Sequence, residues 1–473
     1  MSTGSVLSFS EFRKSFYDRF PDLHVFDCGD VNLVKVILDG LKVNYAAKGK
    51  IAHDMHLPAS AWAAKQFIRR LRFGYKPVSA EVIASLKNLS SRPYLMVEHS
   101  GRYLPDETGN PQSVFYYHPL HILGRSATAV ISEVQPPKGA DTDIIIPEFA
   151  EHILHLKPDE ELLHLRNLLH DFFVKIAPMF NKTEQMNIGF ALEKFFKDFT
   201  IWKFLLQYLP QQNMLMLCHY HHEGMIYAMR KAGRTVIELQ HGLISPNDIF
   251  YCFPENIQPV RDQALFPDKI LVYGEYWKQQ LQKGYEFPAS SVDIAGYYLF
   301  EGSVKSDSDT ELLRSKIIGK KVILITTQTM LHDLFIRYIR FLSNDLTKKK
   351  EQAVIIVKNH PAEKRENYGA LNDLENVVFS NQPLSQLFPM AHYHISIYST
   401  TLYDAHRYHV KSFALDTDPA LKEYVEPIIQ DQVAIRLKPD QNPMDIADTT
   451  NAAHPDHYFF EPVNSNALKR LFR

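Results

Sequence analysis

Short runs of β-branched and aliphatic residues alternate along this chain with segments whose apolar positions recur at helical spacing. In the second half, Lys321 to Thr327 (KVILITT) predicts a buried strand, and MLHDLFIRYIRFLSNDL then carries apolar residues at helical intervals. Ala353 to Lys358 (AVIIVK) predicts a second strand, running into Asn359-His360-Pro361, and Val377 to Phe379 a third. Pro383 to Met390 predicts a helix, Tyr393 to Ile397 a fourth strand, and Ser412 to Leu415 a fifth; Ser399-Thr400-Thr401 would open the helix after the fourth. In the first half, strands are predicted at Tyr94 to Val97, Thr128 to Ile131, Met214 to His219, Thr235 to Gln240, Lys269 to Tyr273 and Val292 to Ala295. Leu/Phe stripes make 150–205 mostly helical, and residues 1–90 mix α and β signals.

Such alternation predicts βα units and parallel sheets, hence an α/β fold with two Rossmann-like domains. The polar stretch 301–310 (EGSVKSDSDT) separates them. The first domain would span 1–300, with an N-terminal α/β extension and a helical insertion near 150–205. The second would span 311–450, and 451–473 would be a C-terminal helix packing back on the first. Two such halves are expected to face each other across a cleft, with ligands at the carboxyl ends of the strands. His219, His241, Gly274, His360 and Ser399 stand at such ends.

Composition narrows the classes. A length of 473 residues suits two or three domains, and 45% apolar content suits well-filled cores. A formal net charge of −2 argues against a nucleic-acid protein held by a general positive field. Three widely spaced cysteines, Cys28, Cys218 and Cys252, predict neither a disulfide framework nor a cysteine zinc site, which favours a reducing, cytoplasmic setting. The N-terminus has no apolar signal-peptide core, and no run approaches 18 apolar residues. Any membrane contact would be peripheral, at the inner face of the cytoplasmic membrane. The basic amphipathic stretch 61–73 (AWAAKQFIRRLRF) and the terminal ALKRLFR could supply it, although a solvated helix with one buried face is the commoner use of such a pattern.

The candidate chemistry lies at strand ends. In Lys358-Asn359-His360-Pro361, the histidine can donate to a phosphate oxygen while the proline fixes the turn. Ser399, Thr400 and Thr401 offer hydroxyls and backbone N–H groups at a helix start, a phosphate cradle that needs no lysine. Asp404 would accept from a ribose or simply favour the first helical turn. In Glu238-Leu239-Gln240-His241-Gly242, His241 is placed as a general base or sugar ligand, with Gln240 beside it. His219-Tyr220-His221-His222-Glu223 has no carboxylate pair or cysteine at ligand spacing, so no metal is expected there. It reads as a loop that puts His219, His222 or Glu223 near an acceptor. Glu98 follows a strand and could deprotonate a hydroxyl, and Arg102 or Arg125 could meet an anionic group. The triplets Asp141–Asp143, Asp307–Asp309 and Asp416–Asp418 all read as loops, not as a metal-diphosphate motif. No Walker A sequence, GxGxxG or Gly-x-Ser-x-Gly elbow is present.

The order of these motifs resembles bacterial GT-B glycosyltransferases of capsule and lipopolysaccharide assembly. It runs Gln240-His241-Gly242, then Phe266 to Gly274, then Val292 to Gly296, a linker, Lys358 to Pro361, and Ser399 to Thr401. It is also similar to the sialyltransferase, Kdo-transferase and teichoic-acid polymerase groups, which share a His-Pro motif and a later Ser/Thr motif. The resemblance covers about 210–420. It implies a GT-B-like fold, a metal-independent transfer from a CMP-, UDP- or GDP-sugar, and no further cofactor. It implies an oligosaccharide or lipid-linked glycan as acceptor. Lys358, His360, Ser399, Thr400, Thr401, Asp404 and Gly274 would bind the donor. His219, His222, Gln240 and Arg102 would line the acceptor side, and His241, Glu98 or Glu223 would be the base. A nucleotide-sugar epimerase, a glycerophosphate transferase and a non-catalytic binding protein are the alternatives on the same fold.

Overall fold

The computed structural model describes residues 9–46, 78–154, 156–246, 248–302, 308–329, 331–361, 363–417, 421–446, 454–455 and 457–470. The basic stretch 61–73 lies outside the described residues, as does Asp307 of the linker triplet. The chain divides into two compact units: 1–104, 110–300 and 461–473 form one, and 105–109 with 301–460 form the other.

In the first unit, helix α1 (Val34–Ala46) precedes the sheet strands β1 (Tyr94–Glu98), β2 (Thr128–Ser132) and β3 (Ile144–Ile145). Helices α2 (Glu160–Ile176) and α3 (Lys182–Leu205) follow, then β4 (Asn213–Met216), α4 (Glu223–Lys231), β5 (Thr235–Leu239), β6 (Lys269–Val272) and β7 (Val292–Ile294). The seven strands are all parallel and lie in the order β3-β2-β1-β4-β5-β6-β7. The numbering reverses direction between β1 and β4. In an open parallel sheet that reversal splays the flanking loops apart and leaves a crevice at the carboxyl ends.

α3 packs against both α1 and α4. Asn181 caps it with a reciprocal capping box to Glu184, and its buried face runs from Ile188 through Phe195, Phe196 and Phe199 to Trp202. Two glycines let neighbouring helices approach it closely. A Cβ on Gly40 of α1 would meet Asn187 O at 3.0 Å, and one on Gly224 of α4 would meet Phe195 O at 2.1 Å. The second approach is possible only without a side chain, and it fixes where α4 begins.

The second unit contains β8 (Lys321–Thr326), α5 (His332–Lys349), β9 (Ala353–Lys358), β10 (Val377–Phe379), β11 (Tyr393–Ser396), β12 (Lys411–Leu415) and β13 (Ile435–Leu437). All pair in parallel, in the order β10-β9-β8-β11-β12-β13. This is again the doubly wound order, with its switch point between β8 and β11. Val322, Leu324, Val354 and Ile356 pack on one face against Leu387, Phe388 and Ala405. The alternate residues Ile323, Ile325, Ile355 and Val357 are just as buried. A sheet covered on both faces needs continuous apolar runs, which is why KVILIT and AVIIVK stand out in the sequence.

Two Rossmann-like parallel α/β units are thus what the alternation predicted. Several boundaries differ. β4 stops at Met216, three residues before the expected end, because the apolar run continues into a buried loop rather than along the ladder. The strand β13 was missing from the expectation; its IRL is too short to carry a period. The helix after Ser399 is one turn, Thr401–Asp404, followed by a 3-10 turn over Ala405–Tyr408. The helix Ser465–Arg470 belongs to the first unit and packs against Tyr117–Leu123 there. No helix among the described residues is long and apolar enough to cross a membrane.

Candidate functional site

The switch point of the second unit gathers hydroxyls and amides. β8 ends at Thr326 and runs into Thr327 and Gln328. Thr326 Oγ1 lies 2.9 Å from His394 Nε2 and 2.8 Å from Thr401 Oγ1, tying the end of β8 to the turn after β11. Gln328 clamps the same junction: its Nε2 donates to Tyr398 O and its Oε1 accepts from Tyr398 N, each at 2.9 Å. Tyr398 stacks on Tyr424 with centroids 4.8 Å apart. Thr327 Oγ1 accepts from His360 N at 3.0 Å and donates to Glu363, whose carboxylate also accepts from Tyr368. The expected His360 and Ser399 loops are therefore stitched to the same strand end. Ser399 Oγ accepts from Thr401 N at 3.3 Å.

Because the helix after Ser399 is a single turn with no side-chain cap, its dipole is small. What this turn offers is therefore the hydroxyls of Ser399, Thr400 and Thr401, not a long helix terminus. Lys358 Nζ donates to Asn381 O at 2.8 Å, and burial lowers its pKa from the ordinary lysine value. Asp404 is the last residue of the short turn, half-buried beside the buried Tyr403. His394, which sequence reasoning passed over, sits inside β11 with its pKa pushed down to about 3 by burial, so it is a neutral imidazole in the folded unit.

The switch point of the first unit carries the titratable groups. The loop after β4 holds His219 fully buried, its Nδ1 2.5 Å from Glu238 Oε2 and its Nε2 3.0 Å from Phe250 O. Burial alone would raise the Glu238 pKa. His219, the Tyr251 hydroxyl that donates to it, and His241 outweigh that and hold it below the ordinary value. Tyr251 OH in turn lies 3.5 Å from His241 Nδ1, and Tyr220 OH lies 3.0 Å from His241 Nε2. Glu238, Tyr251 and His241 form a line from the buried core of the sheet to a half-buried imidazole.

A second cluster lies where β1, β2 and α4 meet. His99 follows β1, Glu133 follows β2, and His222 is the residue before α4. One ligand atom from each lies within 4.8 Å of the other two. The rings of His99 and His222 are 4.2 Å apart, and His222 Nδ1 is 3.1 Å from Glu133 Oε2. The other oxygen, Glu133 Oε1, accepts from Trp202 Nε1 of α3 at 2.9 Å. Burial would raise the Glu133 pKa, yet His222, His99 and the Trp202 indole together hold it far below the usual carboxylate range. Just before His222, His221 takes a left-handed φ of 68° and pairs with Asp39. A non-glycine residue in that region costs roughly 1 kcal/mol, and the Asp39 pairing helps to offset it. Neither His99 nor Glu133 was singled out from the sequence. The signal was slight: each is the second polar residue after an apolar run, YLMV and TAVI.

The other expected site residues have local partners. Glu98 is buried at the end of β1; its Oε1 accepts from Ser100 N at 2.7 Å and from Ser100 Oγ, and its Oε2 from Ser113 Oγ. Burial raises its pKa against those hydrogen bonds. Glu223 lies 3.6 Å from Lys35 Nζ, a fully buried ammonium that also donates to Leu265 O and sits over the Phe266 ring. Gln240 joins strand ends: its Oε1 accepts from Tyr273 N and its Nε2 donates to Gly242 O. Gly274 has extended backbone, φ −174°, before the helix Glu275–Leu281. Arg102 lies 5.5 Å from the Phe115 ring. Arg125 pairs with Asp141 and Asp143, and Asp143 also binds Arg92 and Val130 N, so the first Asp-x-Asp triplet braces a loop as expected. In the third triplet, Asp416 pairs with Arg436, and Asp418 is outside the described residues.

No family model matches the chain, and no curated protein does. Solved structures do. Staphylococcus aureus MnaA with UDP is 10% identical with a TM-score of 0.46, over 80% of this chain and 94% of that one. UDP-GlcNAc 2-epimerase from Neisseria meningitidis bound to UDP-GlcNAc is 12% identical with a TM-score of 0.45, over 80% and 98%. The spinosyn rhamnosyltransferase SpnG with spinosyn aglycone is 13% identical with a TM-score of 0.42, over 74% and 87%. At these levels the similarities say nothing about which substrate this chain takes.

Proposed function

We propose that the chain is a glycosyltransferase that takes its sugar from a nucleotide donor bound at the switch point of the second unit. The observation that carries this reading is the convergence of Thr326, Thr327, Gln328, His360, Ser399 and Thr401 at the carboxyl ends of β8, β9 and β11. A doubly wound sheet receives phosphorylated ligands at that place. Thr326, Thr327 and Gln328 hold the two loops in place, and the neutral hydroxyls of Ser399 and Thr400 with the His360 imidazole suit a phosphate or diphosphate bound without a metal there. In the first unit, His241 is the acceptor base. Its ring is oriented between Tyr220 and Tyr251, and Glu238 behind Tyr251 stabilises the imidazolium that forms on proton uptake. Glu98 and Glu223 are less suited, since the first is engaged by Ser100 and Ser113 and the second lies buried against Lys35. A growing surface polysaccharide, reached at the inner face of the membrane, is the acceptor class that the motif order implies.

Thermal shift with CMP, UDP, GDP and CDP tests the donor site. One nucleotide family should raise Tm at millimolar concentration, and His360→Ala and Ser399→Ala should abolish the shift. Unchanged protection in both variants would overturn the reading. Turnover of the matching nucleotide sugar only when an acceptor is present distinguishes transfer from epimerisation, which needs no acceptor.

A further inference from the structure

We propose that His99, Glu133 and His222 bind one divalent transition-metal ion of the Zn²⁺ class in the first unit. Two imidazoles and one carboxylate form a donor set suited to zinc and its first-row neighbours, with ligand atoms already within 4.8 Å of one another. Two further observations point the same way.

The first is His99 itself. Both its ring nitrogens are shielded from solvent, and neither has a hydrogen-bond partner among the described residues. The His222–Glu133 pair accounts for two of the three groups but leaves this imidazole unexplained. An orphaned buried polar group costs about 1–3 kcal/mol, which a metal bond would remove. The second is the outer shell. The Trp202 indole holds Glu133 Oε1, which turns Oε2 toward the histidines, the kind of support that orients ligating carboxylates. With three protein donors, a fourth position stays open for water or a substrate oxygen, whose proton would be lost far more readily than in bulk water.

The full-length protein, stripped with EDTA, reloaded with Zn²⁺ and dialysed, should retain about one equivalent of metal by mass spectrometry of the digested sample. His99→Ala and Glu133→Gln should each lose that equivalent or weaken its binding at least tenfold, while His121→Ala, at an exposed histidine, should keep it. Co²⁺ in place of zinc should give visible absorption bands that both site variants lack. Glu133→Gln keeps side-chain volume, so it remains informative if His99→Ala fails to fold. Equal metal in wild type and Glu133→Gln, or none retained by wild type, would overturn the proposal. The donor reading is tested separately, because EDTA-stripped protein should still be protected by the matching nucleotide.

Discussion

Thr326 and Thr401 share a hydroxyl–hydroxyl hydrogen bond of 2.8 Å across the switch point of the second sheet. Thr326 also meets His394, so its hydroxyl keeps a partner when Thr401 is changed. Thr401→Val removes one hydroxyl from the turn proposed to face the phosphate and little else. Stability should fall by about 1 kcal/mol, and affinity for the protecting nucleotide by roughly tenfold. Calorimetric titration of wild type and variant measures both affinities, and an unchanged constant would remove Thr401 from the donor site.

Tyr251 is the link between Glu238 and His241. Tyr251→Phe keeps the ring in its buried place and removes only the hydroxyl. The expected result is a kcat at least tenfold lower, with nucleotide protection at the second unit unchanged. Glu238→Ala is a different experiment: it strands His219, which is fully buried against that carboxylate, and should cost about 3–5 kcal/mol of stability. Equal kcat in wild type and Tyr251→Phe would show that His241 does not draw on the buried carboxylate.

Much of this was legible in the sequence, and the parts that were not share a cause. Continuous apolar runs such as AVIIVK marked strands buried on both faces, so the parallel sheets could be read directly. His360 and Ser399 could be placed at strand ends because a strand end follows from its own run. Their stitching to Thr327 and Gln328 could not, because it depends on β8 lying between β9 and β11. The His99–Glu133–His222 cluster was invisible for the same reason. Three elements far apart in the chain meet only once strand order is known. The loop histidines invited a metal reading judged by local spacing, whereas the carboxylate beside them comes from the end of β2. Glu223 looked available because its partner, Lys35, lies nearly two hundred residues earlier.

Glu286 should make the first unit less stable as pH rises. Burial raises its pKa to about 8 against the backbone N–H of Phe253, and its Oε1 has no partner among the described residues. Between the ordinary value of 4.5 and about 8, the folded protein holds a proton that the unfolded chain has lost. Stability from this group is therefore full below 4.5, falls across that window and is flat above it. The change is on the order of 5 kcal/mol across the whole window. Glu286→Gln should remove this fall, so that urea midpoints at pH 5 and pH 8 lie closer together than in wild type. An unaltered gap would show that Glu286 does not hold the extra proton.

His394 should have the opposite effect in the second unit. Its folded pKa is depressed to about 3, against an ordinary 6.5, because the imidazole lies inside β11. Below 6.5 the unfolded chain takes up a proton that the folded unit refuses. Stability from this source is present above 6.5 and is lost as pH falls toward 3. At pH 5 the loss should be about 2 kcal/mol. His394→Gln keeps a polar group within reach of Thr326 but cannot titrate, so its acid limb should be flatter even if its stability at pH 7.5 is lower. Denaturation of both proteins between pH 4.5 and 7.5 reads the two slopes. Parallel slopes would mean that the acid sensitivity of this unit has another origin. A flatter slope in the variant would show that the imidazole at the floor of the switch point stays neutral, offering Thr326 a hydrogen-bond partner without placing a positive charge beneath the proposed donor site.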